Sequence, residues 1–90
     1  MNIHIIGGGN LGSAIALGLC EFVKESRITV TRRNLQTILQ LEAKGITVSA
    51  NNAHQIETAD IVILTVKPYQ TALVLQEIGA KIPTAVVVSA

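Results

Sequence analysis

The residue types best suited to chemistry sit near the start of the chain, where Gly7-Gly8-Gly9-Asn10-Leu11-Gly12 fits the pattern G-x-G-x-x-G. An aliphatic run, Ile3-His4-Ile5-Ile6, comes before it, and a segment with helical spacing follows. Glycine costs backbone entropy, so three in a row straight after a strand need a reason. One reason is a tight turn used only for packing. The other is a seat for a diphosphate. Gly7 would make the turn, Gly9 would let backbone approach the phosphates, and Gly12 would let helix and strand pack closely. The unpaired N–H groups and partial positive charge at the helix N-terminus then face the phosphate oxygens. Alone the pattern is weak; between a strand and a helix, inside a βαβ unit, it points to dinucleotide binding.

Two further segments bear on which dinucleotide. Proteins that bind NAD carry an acid at the end of the second strand, about 20 positions beyond the turn, for the ribose hydroxyls. Counting from Gly12, that position is Thr31, and Arg32-Arg33 follow at once. An acid would repel a 2′-phosphate, whereas guanidinium groups grip one with paired hydrogen bonds. The expectation is NADP(H) rather than NAD(H); the alternative is a pair of solvated arginines. Thr65-Val66-Lys67-Pro68 ends the fourth strand. In an open parallel sheet ligands sit outside the carboxyl ends of the strands, at the switch point, so this segment lies on the nicotinamide side. Lys67 there is either a solvated charge or a partner for a phosphate or ribose. Asn51 and Asn52 cap a short helix or bond the cofactor ribose, and the sequence alone favours the cap.

The elements that must position these residues alternate along the chain. Residues 3–6 read as a strand, and 11–24 carry apolar residues at helical spacing (11, 14, 15, 18, 19, 22 and 23). Residues 28–31 are β-branched throughout and read as a strand. A helix over 34–44 would be capped by Asn34 and closed by Gly45. A strand over 46–49 and a short helical piece over 53–58 precede the longest aliphatic run, 61–66, which reads as the central buried strand. A helix over 69–81 and a strand over 85–88 follow. Strand and helix alternate with no hairpin signal, which gives a parallel sheet with helices on both faces. The expected fold is a Rossmann-like, doubly wound α/β domain over residues 1–90, with five strands in the order 3-2-1-4-5.

Composition excludes several other functions. The chain has 90 residues, 49% hydrophobic and only 14% charged, with a net charge of +1. Such a balance sets up no field for nucleic acid or an anionic membrane. Phe22 and Tyr69 are the sole aromatic residues, too few for a base-stacking platform. The single cysteine, Cys20, lies in an apolar helical pattern and reads as a small core residue. His4 and His54 stand far apart and outside any ligand-spaced cluster, so no metal is expected. The apolar runs fall well short of the ~20 residues of a membrane span, and no basic stretch precedes the first of them. A soluble, cytoplasmic protein is the expectation.

Taken together, IIGGGNLGSAIALGL, ITVTRRN, the asparagine before the short helix, and ADIVILTVKP resemble the N-terminal domain of the pyrroline-5-carboxylate reductases. The resemblance runs the length of the chain, and Val66-Lys67-Pro68 after an aliphatic strand is its most specific part. It implies reduction of the C=N bond of 1-pyrroline-5-carboxylate to L-proline with NAD(P)H, NADPH being the cofactor the arginines favour. Carried over by position, Ile6, Gly7, Gly8, Gly9, Asn10, Leu11 and Gly12 would hold the cofactor phosphates. Thr31, Arg32 and Arg33 would face the 2′-phosphate, and Asn52 the adenosine ribose. Thr65, Val66, Lys67 and Pro68 would line the nicotinamide side, although many relatives have alanine where this chain has Thr65. The family also implies an all-helical domain that forms a dimer and supplies the imino-acid pocket and the proton-donating groups. No catalytic residue is carried over, and that helical domain is expected to be absent from these 90 residues, so they should bind cofactor without turnover and, through the apolar surface left exposed, self-associate weakly. The rival readings are a deazaflavin-dependent NADP reductase-like domain and a non-catalytic module that senses NADP(H) or pairs with a partner.

Overall fold

The computed structural model describes residues 1–7, 9–22, 27–52 and 54–79, and the backbone of 86–89. The elements are β1 (Asn2–Ile6), α1 (Asn10–Phe22), β2 (Arg27–Thr31), β3 (Thr47–Ser49), β4 (Ile61–Leu64), α2 (Pro68–Ile78) and β5 (Val86–Ser89). All pairings are parallel, and the sheet runs β3-β2-β1-β4-β5. Ile6 is level with Thr31 on one side and Leu64 on the other. That register brings the carboxyl ends of β1, β2 and β4 to one height, which is what gathers the site.

Because successive strand residues point to opposite faces, the aliphatic runs divide into two cores. Ile3, Ile5, Ile28 and Val30 join Ala16 of α1 and Ile38, Leu41 and Ile46 on one face. Ile6, Val62 and Leu64 join Ile56, Ala59, Val74 and Ile78 on the other. Helices therefore cover both faces, as the alternating sequence pattern implies. Each fully buried aliphatic side chain contributes about 1.5–3 kcal/mol. Truncating Ile5, which has no exposed surface, would cost about 2–5 kcal/mol, a large share of a small domain's stability.

The structure differs from the sequence expectation in three places. The first is residues 34–44, which form two 3₁₀ turns, Leu35–Thr37 and Leu39–Lys44, instead of one α-helix. Leu35, Ile38 and Leu41 recur every third residue, the spacing that puts side chains in line along a 3₁₀ turn, and all three pack on the first core. Ile38 breaks the helix between the turns, with φ −122° and ψ 4°, and Asn34 makes no side-chain cap. Gly45 does close the segment in the left-handed conformation. Second, the helical piece after β3 is a single 3₁₀ turn, Ile56–Thr58. Third, the apolar stripe of α1 is narrower than its spacing suggests. Gly12 and Ala16 are buried, whereas Leu11 and Phe22 are 53% and 86% exposed.

His4 is the one histidine in the sheet interior, 2% exposed, beside Thr29 in the register. It borders a polar groove of ≈ 230 Å³ lined also by Asn2, Arg27, Thr47, Gln55 and Thr58. Its Nδ1 makes no hydrogen bond among the described residues. Burial pushes the His4 pKa below the usual 6.5, and His54 adds to that while Glu57 opposes it. The unfolded chain therefore takes up this proton more readily than the folded one. The His4 contribution to stability is complete above about pH 6.5 and shrinks as the pH falls below it. Urea unfolding at pH 7.5 and pH 5.5 should show a fall in stability that is smaller in His4→Val, by up to about 1 kcal/mol. An equal fall in both proteins would exclude His4 as its source.

Candidate functional site

The glycine turn is held between the ends of β2 and β4. The Gly7 N–H donates to the Thr31 carbonyl at 2.9 Å, and the Thr65 N–H donates to the Ile6 carbonyl at 2.9 Å. Gly7 has φ +95°, and a Cβ there would lie 2.8 Å from Val66 Cγ1 and 3.1 Å from Thr65 Oγ1. Any other residue would be strained in its backbone and crowded by its neighbours. The chain folds back sharply, since the Gly9 N–H reaches the Gly7 carbonyl at 2.7 Å and the Ser13 N–H the Gly9 carbonyl at 2.9 Å.

Gly12 has a more specific reason to be glycine than helix–strand packing. A Cβ there would meet the Gly7 carbonyl oxygen at 2.6 Å and Thr65 Oγ1 at 2.8 Å. Its contacts are with the turn itself and with the end of β4. The Thr65 hydroxyl shares its one proton between the Gly7 carbonyl and the Ile6 carbonyl, the latter at 3.0 Å. That hydroxyl, placed on the nicotinamide side by sequence, is used inside the fold to fasten the turn. Ile6 is an anchor of the same kind: its side chain has no exposed surface and its carbonyl accepts from Thr65 twice.

Gly9 is the opposite case, with no atom within 4 Å of where its Cβ would be. Open space lies over the turn at the start of α1, whose first turn carries no acidic residue. Asn10 and Leu11 are exposed there. The early N–H groups of a helix have no acceptor within it, so this corner favours an anion. A crowded Gly7, a crowded Gly12 and an open Gly9 are the arrangement a pyrophosphate needs. Gly8 lies outside the described residues.

At the end of β2 the side chains engage one another. Thr31 is fully buried, and its hydroxyl donates to Asn52 Oδ1 at 2.8 Å. The Asn52 amide nitrogen in turn donates to Glu77 Oε2 at 3.4 Å. Asn52 therefore does not cap the following turn, and its side chain is drawn to the end of β2 instead. The backbone of Asn51 makes the bend, with its N–H on Ser49 Oγ at 3.1 Å and its carbonyl accepting from His54 at 3.0 Å. The Arg32 N–H donates to the Ser49 carbonyl at 3.0 Å, leaving the side chain half-buried, while Arg33 is exposed. Glu77 was invisible as a site residue in the sequence. It stands 25 positions beyond Asn52, on a polar helix position that reads as solvated.

On the other side, Val66 is half-buried against the second core, and Lys67 and Pro68 are exposed. Pro68 begins α2, where its missing N–H costs nothing. Gln70 fixes the entry: its side chain accepts from the Lys67 N–H at 3.1 Å and its own N–H donates to the Lys67 carbonyl at 2.8 Å. The structure thus brings the glycine turn, Thr31, Asn52 and residues 65–68 to one edge of the sheet. Among the described residues, no helix is long and apolar enough to cross a membrane.

Residues 2–90 match the family described as NADP oxidoreductase, coenzyme F420-dependent. Pyrroline-5-carboxylate reductase 1 of Dictyostelium discoideum is 40% identical over 70 residues, covering 76% of this chain and 13% of that protein. Pyrroline-5-carboxylate reductase of Pasteurella multocida is 36% identical over 84 residues, covering 88% of this chain and 30% of its own. The solved pyrroline-5-carboxylate reductase of Coxiella burnetii superposes with a TM-score of 0.86 at 34% identity, over 98% of this chain and 34% of that one. A Plasmodium falciparum pyrroline carboxylate reductase with NADP bound shares the fold, with a TM-score of 0.73 at 19% identity, over 99% of this chain and 32% of that one. The chain spans 13–34% of the length of these relatives.

The two crowded and one open glycines make a prediction that needs no ligand. Gly12→Ala should lower stability by about 1–3 kcal/mol in urea unfolding, because the obstacle is backbone. Gly9→Ala should stay within about 0.5 kcal/mol of the parent. A Gly12→Ala chain as stable as Gly9→Ala would contradict the close contact described above.

Proposed function

The chain belongs to the family described as NADP oxidoreductase, coenzyme F420-dependent, and from that premise we propose that it is the NADP(H)-binding domain of a pyrroline-5-carboxylate reductase. The observation that carries the reading is the glycine turn, crowded at Gly7 and Gly12 and open at Gly9. Similarity of 34–40% to the Coxiella and Dictyostelium reductases supports the substrate class. In this reading the first N–H groups of α1 take the pyrophosphate, with Asn10 and Leu11 in backbone contact. Arg32 and Arg33 take the 2′-phosphate, Asn52 the adenosine ribose, and Val66, Lys67 and Pro68 border the nicotinamide. Bound NADPH supplies a hydride for the C=N carbon of 1-pyrroline-5-carboxylate, and the imine nitrogen takes up a proton.

A donor and an acceptor carbon must be held in a near-attack arrangement before hydride passes. The residues described here seat the donor alone. The acceptor pocket, the proton donor and the dimer contact are assigned to a further helical domain, for which the greater length of the relatives leaves room. The cytoplasm, where a free thiol such as Cys20 stays reduced, suits this chemistry. The family description itself favours a second reading, an NADP reductase that uses a deazaflavin. The Val66-Lys67-Pro68 turn and the similarity to reductases of the cyclic imine weigh for the first.

Two measurements test the proposal. Titration of the chain with NADPH and NADH should give NADPH at least about tenfold tighter, as expected for charge-assisted bonds to one phosphate, and Arg33→Ala should narrow the gap. Equal or tighter NADH binding would remove the NADP assignment. In steady-state assays with NADPH and 1-pyrroline-5-carboxylate the 90-residue chain should bind cofactor without turnover, and clear turnover would sink the division of labour between domains.

A further inference from the structure

Glu77 has no part in the phosphate seat, and its position on α2 marks it as an ordinary exposed acid. Its contact is not ordinary. Asn52 stands between the buried Thr31 hydroxyl, 2.8 Å from its Oδ1, and the Glu77 carboxylate, 3.4 Å from its Nδ2. An asparagine amide can face either way, and a threonine hydroxyl accepts or donates equally well, so Thr31 alone cannot decide the orientation. An ionised carboxylate only accepts. It holds Nδ2 toward α2, which leaves Oδ1 toward β2 and obliges the Thr31 hydroxyl to donate. Turning the amide over would set its oxygen against the carboxylate.

We propose that Glu77 is a positioning residue for the nucleotide: it fixes the orientation of the Asn52 amide, and so the direction of the hydrogen bond that Asn52 offers to the adenosine ribose. The inference rests on the nucleotide-binding reading above. With Nδ2 held by Glu77, one of its two hydrogens and one lone pair of Oδ1 remain for a ligand, in a fixed relation to each other. Thr31 is the inner stop of the relay and Glu77 the outer one. Neither needs to touch the cofactor. An acid near the ribose is thus present in the fold, but it acts through an amide and not on the hydroxyls directly. The carboxylate also stays one side chain further from a 2′-phosphate than an acid at the end of β2 would be.

The test compares the parent chain with Glu77→Gln, which keeps the size of the side chain and loses its acceptor-only character. NADPH affinity, read by cofactor fluorescence, should fall about threefold to fivefold, the loss of one ordered hydrogen bond. Affinity for reduced nicotinamide mononucleotide, which has no adenosine half, should not change. In an Asn52→Ala background Glu77→Gln should have no further effect. Unchanged NADPH affinity, an equal loss for both ligands, or an undiminished effect in Asn52→Ala would each overturn the proposal. NMR on the cofactor-free chain reads the orientation separately. The cross-relaxation between the Thr31 methyl and the Asn52 amide protons should be weak in the parent and stronger in Glu77→Gln. If the parent binds neither NADPH nor NADH, the nucleotide reading fails, while this NMR comparison still upholds or refutes the fixing of Asn52 by Glu77.

Discussion

One carbonyl organises the site. The oxygen of Gly7 receives the Gly9 N–H and the Thr65 hydroxyl, and it lies 2.6 Å from where a Cβ on Gly12 would be. Strand, turn, helix and the end of β4 meet at that atom. Each partner constrains the others: the bare Cα of Gly12 lets α1 come close, and the hydroxyl of Thr65 fills the gap from the other side. Gly7 and Gly12 therefore form a packed junction with the end of β4. Among the described glycines of the turn, Gly9 is the open one.

The sheet register makes that junction possible. β1, β2 and β4 end level with one another, so the chain leaving β1 finds the Thr31 carbonyl on one side and Thr65 on the other. Two aliphatic cores, one on each face, hold the register, because a slip of one residue would exchange the faces of every strand residue. His4 and Thr29 interrupt the aliphatic surface on one face, toward the end of the sheet away from the turn. A charged His4 would be costly there, which couples the fold to pH at a distance from the binding edge.

The end of β2 follows a different principle from the glycine turn. There the chain relies on side chains, and it uses them in series. Thr31, without exposed surface, engages Asn52 from one side, and Glu77 engages it from the other. A small domain with few charges can define a polar contact in this way without burying an unpaired one.

Much of this was legible in the sequence. Alternating aliphatic runs and helical spacing imply a parallel α/β sheet, because strands buried on both faces leave a continuous hydrophobic signature. The glycine turn, the residues after β2 and the Val66-Lys67-Pro68 exit are local patterns, and local patterns are what sequence shows directly. The segment from Leu35 to Lys44 was misread because three- and four-residue spacings look alike over so short a stretch. The hydrogen bonds that Thr65 and Asn52 make inside the fold leave no mark in the sequence. Glu77 was not seen at all. In each of these cases the partner is distant in the chain: Thr65 with Gly7, Asn52 with Thr31 and Glu77. The sequence by itself determined which residues would stand at the carboxyl edge of the sheet, since strand order and chain direction leave no other place for them. Only the tertiary structure decided which of them face a ligand and which face each other, because a hydroxyl or an amide has one set of hydrogen-bonding positions and spends them on its nearest neighbours.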